Sequence, residues 1–200
     1  MPNWCNNSVT LRHADSAMII RAKDAFGVGK FLNEFIPIPE SLNIVSGSVP
    51  VAEEAAHEAQ KAANIEAHGY KDWYDFSVNE WGTKWDIGDG DGINEVTENT
   101  LTIYFDSAWA PPINAYEKLA DMGFEIDAMY YEPGMAYCGR WTNEGGDDYY
   151  EYGSMSIEEV EEMLPKEINE AFCITEDMQM WADEENEDID LDGGLSATNE

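Results

Sequence analysis

Cations are scarce in this chain: ten Lys+Arg stand against 42 Asp+Glu in 200 residues, a formal net charge of −32. Ten scattered cations make no basic footprint, which excludes sequence-independent gripping of nucleic-acid phosphates. An anionic membrane surface would repel such a chain. Long apolar runs are missing too. No stretch approaches the roughly 18 residues of a transmembrane helix, and the basic-then-apolar pattern of a signal peptide is absent. Cysteine is sparse: Cys5, Cys138 and Cys173 are odd in number, widely spaced and without a CxxC. That argues against a disulfide framework, a zinc ribbon or a thioredoxin motif, and for reduced thiols in a cytosol. No P-loop, GxGxxG or HExxH occurs.

What is present suffices for a core. Hydrophobic residues make up 44% of the chain, with seven Trp, ten Tyr and seven Phe, so the acidity does not by itself imply disorder. The length suits one domain with an extension. Charge is unevenly spread: residues 132–200 hold 21 acids and two bases, and Asp183 to Asp192 has seven acids in ten positions. The plainest expectation for the end of the chain is a solvated acidic tail over 188–200.

Patterning gives an element order. Asn7 to Arg12 reads as a strand, and Asp15 or Ser16 caps a helix through Phe26. Phe31 to Pro39, with two prolines, reads as an ordered crossing loop. A helix over Val51 to His68 carries a stripe of six alanines, suited to close packing with little burial. Tyr70 to Trp81 is aromatic-rich. Lys84 to Ile87 and Leu101 to Phe105 read as strands joined by a glycine-rich hairpin loop over 88–99. Pro111-Pro112 opens a helix that Met122-Gly123 stops. Strands over Glu125 to Tyr131 and Ala136 to Thr142 are joined by a turn at Pro133-Gly134. Ser156 and Glu159 form a capping box, and a helical arm interrupted at Pro165 follows. The sum is α+β: a ferredoxin-like, mainly antiparallel sheet with helices packed on one face over 1–150, an acidic helical arm over 151–187 packed on or beside it, and the tail.

Five motifs carry a resemblance: Met-Pro-Asn-Trp-Cys-Asn-Asn (Met1–Asn7), Phe-Ile-Pro-Ile-Pro (Phe35–Pro39), Trp-Gly-Thr-Lys-Trp-Asp (Trp81–Asp86), Phe-Asp-Ser-Ala-Trp-Ala-Pro-Pro (Phe105–Pro112) and Tyr-Tyr-Glu-Pro-Gly-Met-Ala-Tyr-Cys-Gly-Arg-Trp (Tyr130–Trp141). In this order they resemble the YubB ferredoxin-like domain family of phage and plasmid proteins, over about residues 1–150. The resemblance implies a ferredoxin-like fold and a mobile-element setting, hence the host cytoplasm. It implies no reaction.

Trp81–Asp86 is the most site-like stretch. Its glycine allows close backbone approach, Lys84 could meet an anion, and indoles can stack on a base or cage a cation. A ligand pocket would use Trp81, Lys84, Trp85, Trp109 and Arg140. The competing expectation, with more weight, is that Trp81, Trp85 and Trp109 fill the space between sheet and helices, with Lys84 lying beside Asp86 or Asp106. The amides of Asn3, Asn6 and Asn7 serve turn backbone more readily than a ligand. Cys5 and Cys138 lack a histidine at any paired spacing, and His57 and His68 lie three turns apart, so neither a thiol catalyst nor a histidine metal site is expected. Two stretches, from Ile87 and from Asp188, narrowly miss the calcium-loop pattern. The expectation is a protein with no enzymatic activity, cofactor or metal.

The charge itself suggests a role. A 200-residue domain is about 43 Å across, a length over which duplex DNA carries about 25 negative charges. A protein that holds nucleic acid in a Lys/Arg channel could accept this chain instead. The leading expectation is a DNA mimic that inhibits a host defence or DNA-processing protein. Asp147, Asp148, Glu158, Glu161, Glu162, Asp183, Glu184, Glu185 and Asp188 would make the contact. The alternative is a small-ligand or nucleotide-sequestering module using the Trp-Gly-Thr-Lys-Trp region.

Overall fold

Strand β1, Trp4–Arg12, alternates buried and half-buried residues along its length, the period-2 signature of a strand with one face on a core. It is central to a six-stranded sheet in the order β2-β3-β1-β4-β5-β6. The other strands are β2 (Ile93–Val96), β3 (Thr100–Ala108), β4 (Glu125–Glu132), β5 (Tyr137–Thr142) and β6 (Gly146–Glu151). β1 runs antiparallel to both β3 and β4, with Val9 opposite Ile103 on one side and Ala128 on the other. The computed structural model describes residues 3–193, with side chains as far as Asp183.

The helices are α1 (Ser16–Gly27), α2 (Phe31–Phe35), α3 (Val51–His68), α4 (Trp73–Glu80), α5 (Ile113–Asp121), α6 (Ile157–Met163), α7 (Lys166–Phe172) and α8 (Ile174–Gly193). Ile19 and Phe26 of α1, Phe31 and Phe35 of α2, Phe76 of α4 and Tyr116 and Leu119 of α5 join Val9, Leu11, Leu101, Ile103, Ile126 and Trp141 in one buried cluster. Helices thus cover one sheet face, and the fold is ferredoxin-like α+β. Among the described residues no helix is long and apolar enough to cross a membrane.

Several elements differ from the pattern in the sequence. Lys84 to Ile87 is not a strand, because Asp86 is drawn aside to cap α2: its carboxylate accepts from the backbone N–H of Leu32 (2.6 Å) and Asn33 (3.0 Å). That cap is also why the segment from Phe31 opens as a helix before Pro37 ends it. The 88–99 loop contains β2, and the segment after Thr142 adds a sixth strand, β6. The alanine stripe of α3 is exposed among the described residues, and Asn64 is the one buried residue of that helix. Its amide donates to the carbonyls of Ser41 and Lys71, both at 3.0 Å. Polar anchoring thus does what apolar packing was expected to do.

Between α4 and α5, Lys118 and the Tyr70 hydroxyl both donate to Glu80. Burial pushes the Glu80 carboxyl up, but the hydrogen bonds from Lys118 and Tyr70 and the Lys118 charge outweigh it and hold it below 4.5. A lowered carboxyl contributes stability above its unfolded value and loses it as pH falls through the folded one. Glu80→Gln should therefore flatten the acid side of the stability–pH curve, read by denaturant unfolding between about pH 2 and pH 5.

The chain divides into two compact units, Met1–Tyr149 and Tyr150–Glu200. In the second, Ser156 and Glu159 form a full capping box on α6, and Pro165 sits at the N-cap of α7. Cys173, at φ 52°, turns the chain from α7 into α8. Asn169 secures that corner by accepting from the Thr175 backbone N–H at 3.1 Å. Val160, Leu164, Ile168 and Ile174 are buried. Of the stretch expected as a tail, 188–193 continues α8, and 194–200 lies outside the described residues.

Candidate functional site

The Trp81–Asp86 motif divides its residues between holding the loop and facing outward. Trp81 is 2% exposed and its indole N–H donates to the Ile36 carbonyl at 2.9 Å. Gly82, at φ +87°, leaves only 3.2 Å between a would-be Cβ and the Ile113 backbone nitrogen, so any side chain here would be both crowded and strained. The buried Thr83 hydroxyl donates to the Ala108 carbonyl at 3.0 Å. With Asp86 committed to α2, Lys84 and Trp85 are left to project.

They project into an aromatic surface. The Lys84 ammonium lies 4.6 Å from the ring centre of Trp85, 5.0 Å from Trp109 and 5.7 Å from Tyr74, within cation–π range of all three. Trp109 is at φ +70°, strained for a bulky residue. Two hydrogen bonds hold it: its N–H donates to the Asn3 carbonyl (2.9 Å) and its carbonyl accepts from the Tyr137 hydroxyl (2.7 Å). On one side of this cage Trp4 meets Trp85 with ring centres 5.8 Å apart. Tyr130, Tyr137, Tyr149, Pro111 and Val78 line a separate groove of about 340 Å³. There the Tyr130 hydroxyl donates to Asp147 at 2.6 Å, and burial, reinforced by that carboxylate, pushes the phenol well up.

Of the expected pocket, Lys84, Trp85 and Trp109 come together. Trp81 does not join them, being core. Arg140 does not either: it lies opposite Met129, one residue out of phase with Trp141, which packs into the core opposite Ala128. Successive strand residues face opposite sides, so Arg140 is on the other sheet face, where it grips Asp127 with two bonds at 2.7 and 2.8 Å. Trp85 and Trp109 are 39% and 42% exposed and are not the core filling expected of them. Lys84 lies over rings rather than against a carboxylate. Nothing in the sequence marks Tyr74 and Trp4 as site residues, since only the fold brings residues 4, 74, 85 and 109 together.

The other candidates resolve simply. Asn7 is buried and its amide donates to the Cys5 carbonyl and Ser107 hydroxyl, while Asn6 donates to Asp106. Burial pushes the Cys5 and Cys138 thiols up to about 12, so neither is a nucleophile near neutral pH. Among the described residues no group of His, Cys, Asp and Glu could hold a metal ion.

The expected partner-binding acids fall in three places. Asp147 and Asp148 are on β6, Glu158, Glu161 and Glu162 are exposed on α6, and Asp183 is exposed on α8. Glu184, Glu185 and Asp188 belong to α8, and their side chains lie outside those described. The second unit, Tyr150–Glu200, holds 17 of the 42 acids and one of the ten Lys+Arg. That cation, Lys166, pairs with Glu170 at 3.2 Å. Acids are also exposed on α3, β2 and α5 of the first unit, so the anionic surface is not confined to one element.

A protein-family model described as a ferredoxin-like domain in Api92-like protein matches residues 80–172. The match takes in α6 and α7, so those helices fall within a ferredoxin-like family pattern. The crystal structure of a protein api92 from Yersinia pseudotuberculosis is similar at a TM-score of 0.39 and 12% sequence identity, over 78% of this chain and all of that one. No curated protein matches the sequence.

Proposed function

We propose that this ferredoxin-like chain is a non-enzymatic phage or mobile-element protein of the host cytoplasm. It inhibits a host defence or DNA-processing protein by occupying that protein's basic nucleic-acid-binding surface. One observation carries the reading: Glu158, Glu161 and Glu162 are exposed on α6 and Asp183 on α8, helices that are anchored by buried Val160 and Ile174 respectively. Carboxylates on packed helices keep fixed spacings, as phosphates do along a duplex, and a Lys/Arg channel can accept either. The sole cation of that unit is already paired with a glutamate. A mobile-element setting, implied by the family resemblance, gives such mimicry a purpose. The nucleotide-sequestering alternative draws less support. An anionic ligand would need converging cations, whereas Lys84 is covered by rings and Arg140 is bound to Asp127 on the opposite face.

The test is competition. A host protein captured on the immobilised chain should bind DNA by itself and be displaced by duplex DNA. Its affinity for the chain should fall at least about tenfold between roughly 50 and 200 mM salt. Retention that neither DNA nor salt disturbs would rule the mimicry out.

A further inference from the structure

The cleft where Trp4 meets Trp85 has a chemistry that mimicry of phosphates does not require. It is a cavity of about 260 Å³ in the first unit, bordered by both indoles, Phe105, Asp89 and Asp106. Trp4 is 45% and Trp85 39% exposed, unusually open for so large an apolar side chain. Their tilt of 39° leaves the pair splayed rather than closed face to face. Asp106 uses one carboxylate oxygen to accept from the Asn6 amide, and Asp89 uses one to accept from the Gly92 N–H. The second oxygen of each has no partner among the described residues. Asp86 also borders the cleft, but its carboxylate is taken by the N–H groups of Leu32, Asn33 and Ile87. Lys84 already uses Trp85 as a cation acceptor at 4.6 Å, so this indole is placed where a cation finds it.

We propose that this cleft binds the guanidinium of an arginine side chain presented by a protein partner. Indole faces and two exposed carboxylates, each with one oxygen not engaged by the described residues, together select an organic cation. A flat guanidinium can stack on a ring while its edge N–H groups reach Asp89 and Asp106, which a lysine ammonium cannot do at once. The net charge of −32 draws cationic partners toward the molecule. The site lies outside the helical acidic unit and goes beyond the mimicry reading.

The experiment uses the isolated full chain, so its result does not depend on capturing any host protein. N-acetyl-arginine amide is titrated into isotope-labelled protein at constant ionic strength, following the tryptophan indole N–H resonances. N-acetyl-lysine amide and N-acetyl-citrulline amide serve as comparators. Arginine should shift the Trp4 and Trp85 signals saturably and leave Trp81, bonded to Ile36, unmoved. Lysine should bind several-fold more weakly, and citrulline, which keeps the shape without the charge, should not saturate. Trp85→Ala should weaken arginine binding about fivefold, the size of one exposed cation–π contact. Asp106→Asn, which leaves the ring pair in place, should weaken it as well. Equal binding of citrulline and arginine, or arginine shifts unaltered in both variants, would overturn the assignment.

Discussion

Replacing Trp81 with alanine should cost about 3–5 kcal/mol of unfolding free energy. Trp85→Ala or Trp109→Ala should each change it by no more than about 1 kcal/mol. The three indoles look alike in sequence, and burial separates them. Trp81 is 2% exposed, edge-on to Phe76, and hydrogen-bonded through its indole nitrogen to Ile36. Removing it empties a large volume between α4 and α2 and leaves the Ile36 carbonyl without its donor. Trp85 and Trp109 instead contact Lys84 and one ring each, Trp4 and Tyr74, near solvent. Denaturant unfolding of the three variants measures this directly. A loss at Trp85 as large as that at Trp81 would mean the motif is structural throughout, with no face left for a partner.

Reversing Glu158, Glu161, Glu162 and Asp183 to lysine should weaken binding to the captured host protein by at least about a hundredfold. Most of that should appear as slower association. All four are exposed, and Glu159 is left alone because it closes the capping box with Ser156, so folding should survive. The decisive control reverses Glu66, Glu98, Glu117 and Asp121, exposed acids of the first unit, which alters net charge by the same amount. If mimicry depends on where the carboxylates sit, the control should lose far less, about tenfold or under. Equal losses, measured by surface-capture kinetics at fixed salt, would show that bulk charge alone attracts the partner.

Much of the fold is readable from local chemistry. Asp15 before α1, Pro111-Pro112 before α5 and the Ser156–Glu159 pair before α6 each mark a helix start. Alternation along β1, β3 and β4 marks strands with one buried face. The same logic could have found α4, since Asp72 caps it by accepting from the Asp75 N–H, but five aromatic residues between 70 and 81 obscured the helical period. β6 reads Gly-Asp-Asp-Tyr-Tyr-Glu, with too little apolar alternation to announce a strand. The aromatic surface was half legible. Lys84 and Trp85 are sequence neighbours, but Tyr74 and Trp4 reach them only through tertiary packing. Arg140 shows the converse limit: motif membership suggested a shared site, and strand parity put it on the far side of the sheet.

The three thiols have unequal fates. Cys5 and Cys138 are buried and protonated far above neutrality, whereas Cys173 is exposed at the elbow joining α7 to α8. A maleimide dye or spin label offered to the native protein would thus land on one sulfur, within the carboxylate-rich helices. The natural sequence already contains a single-position reporter for watching that segment when a partner arrives, with no cysteine to add or remove.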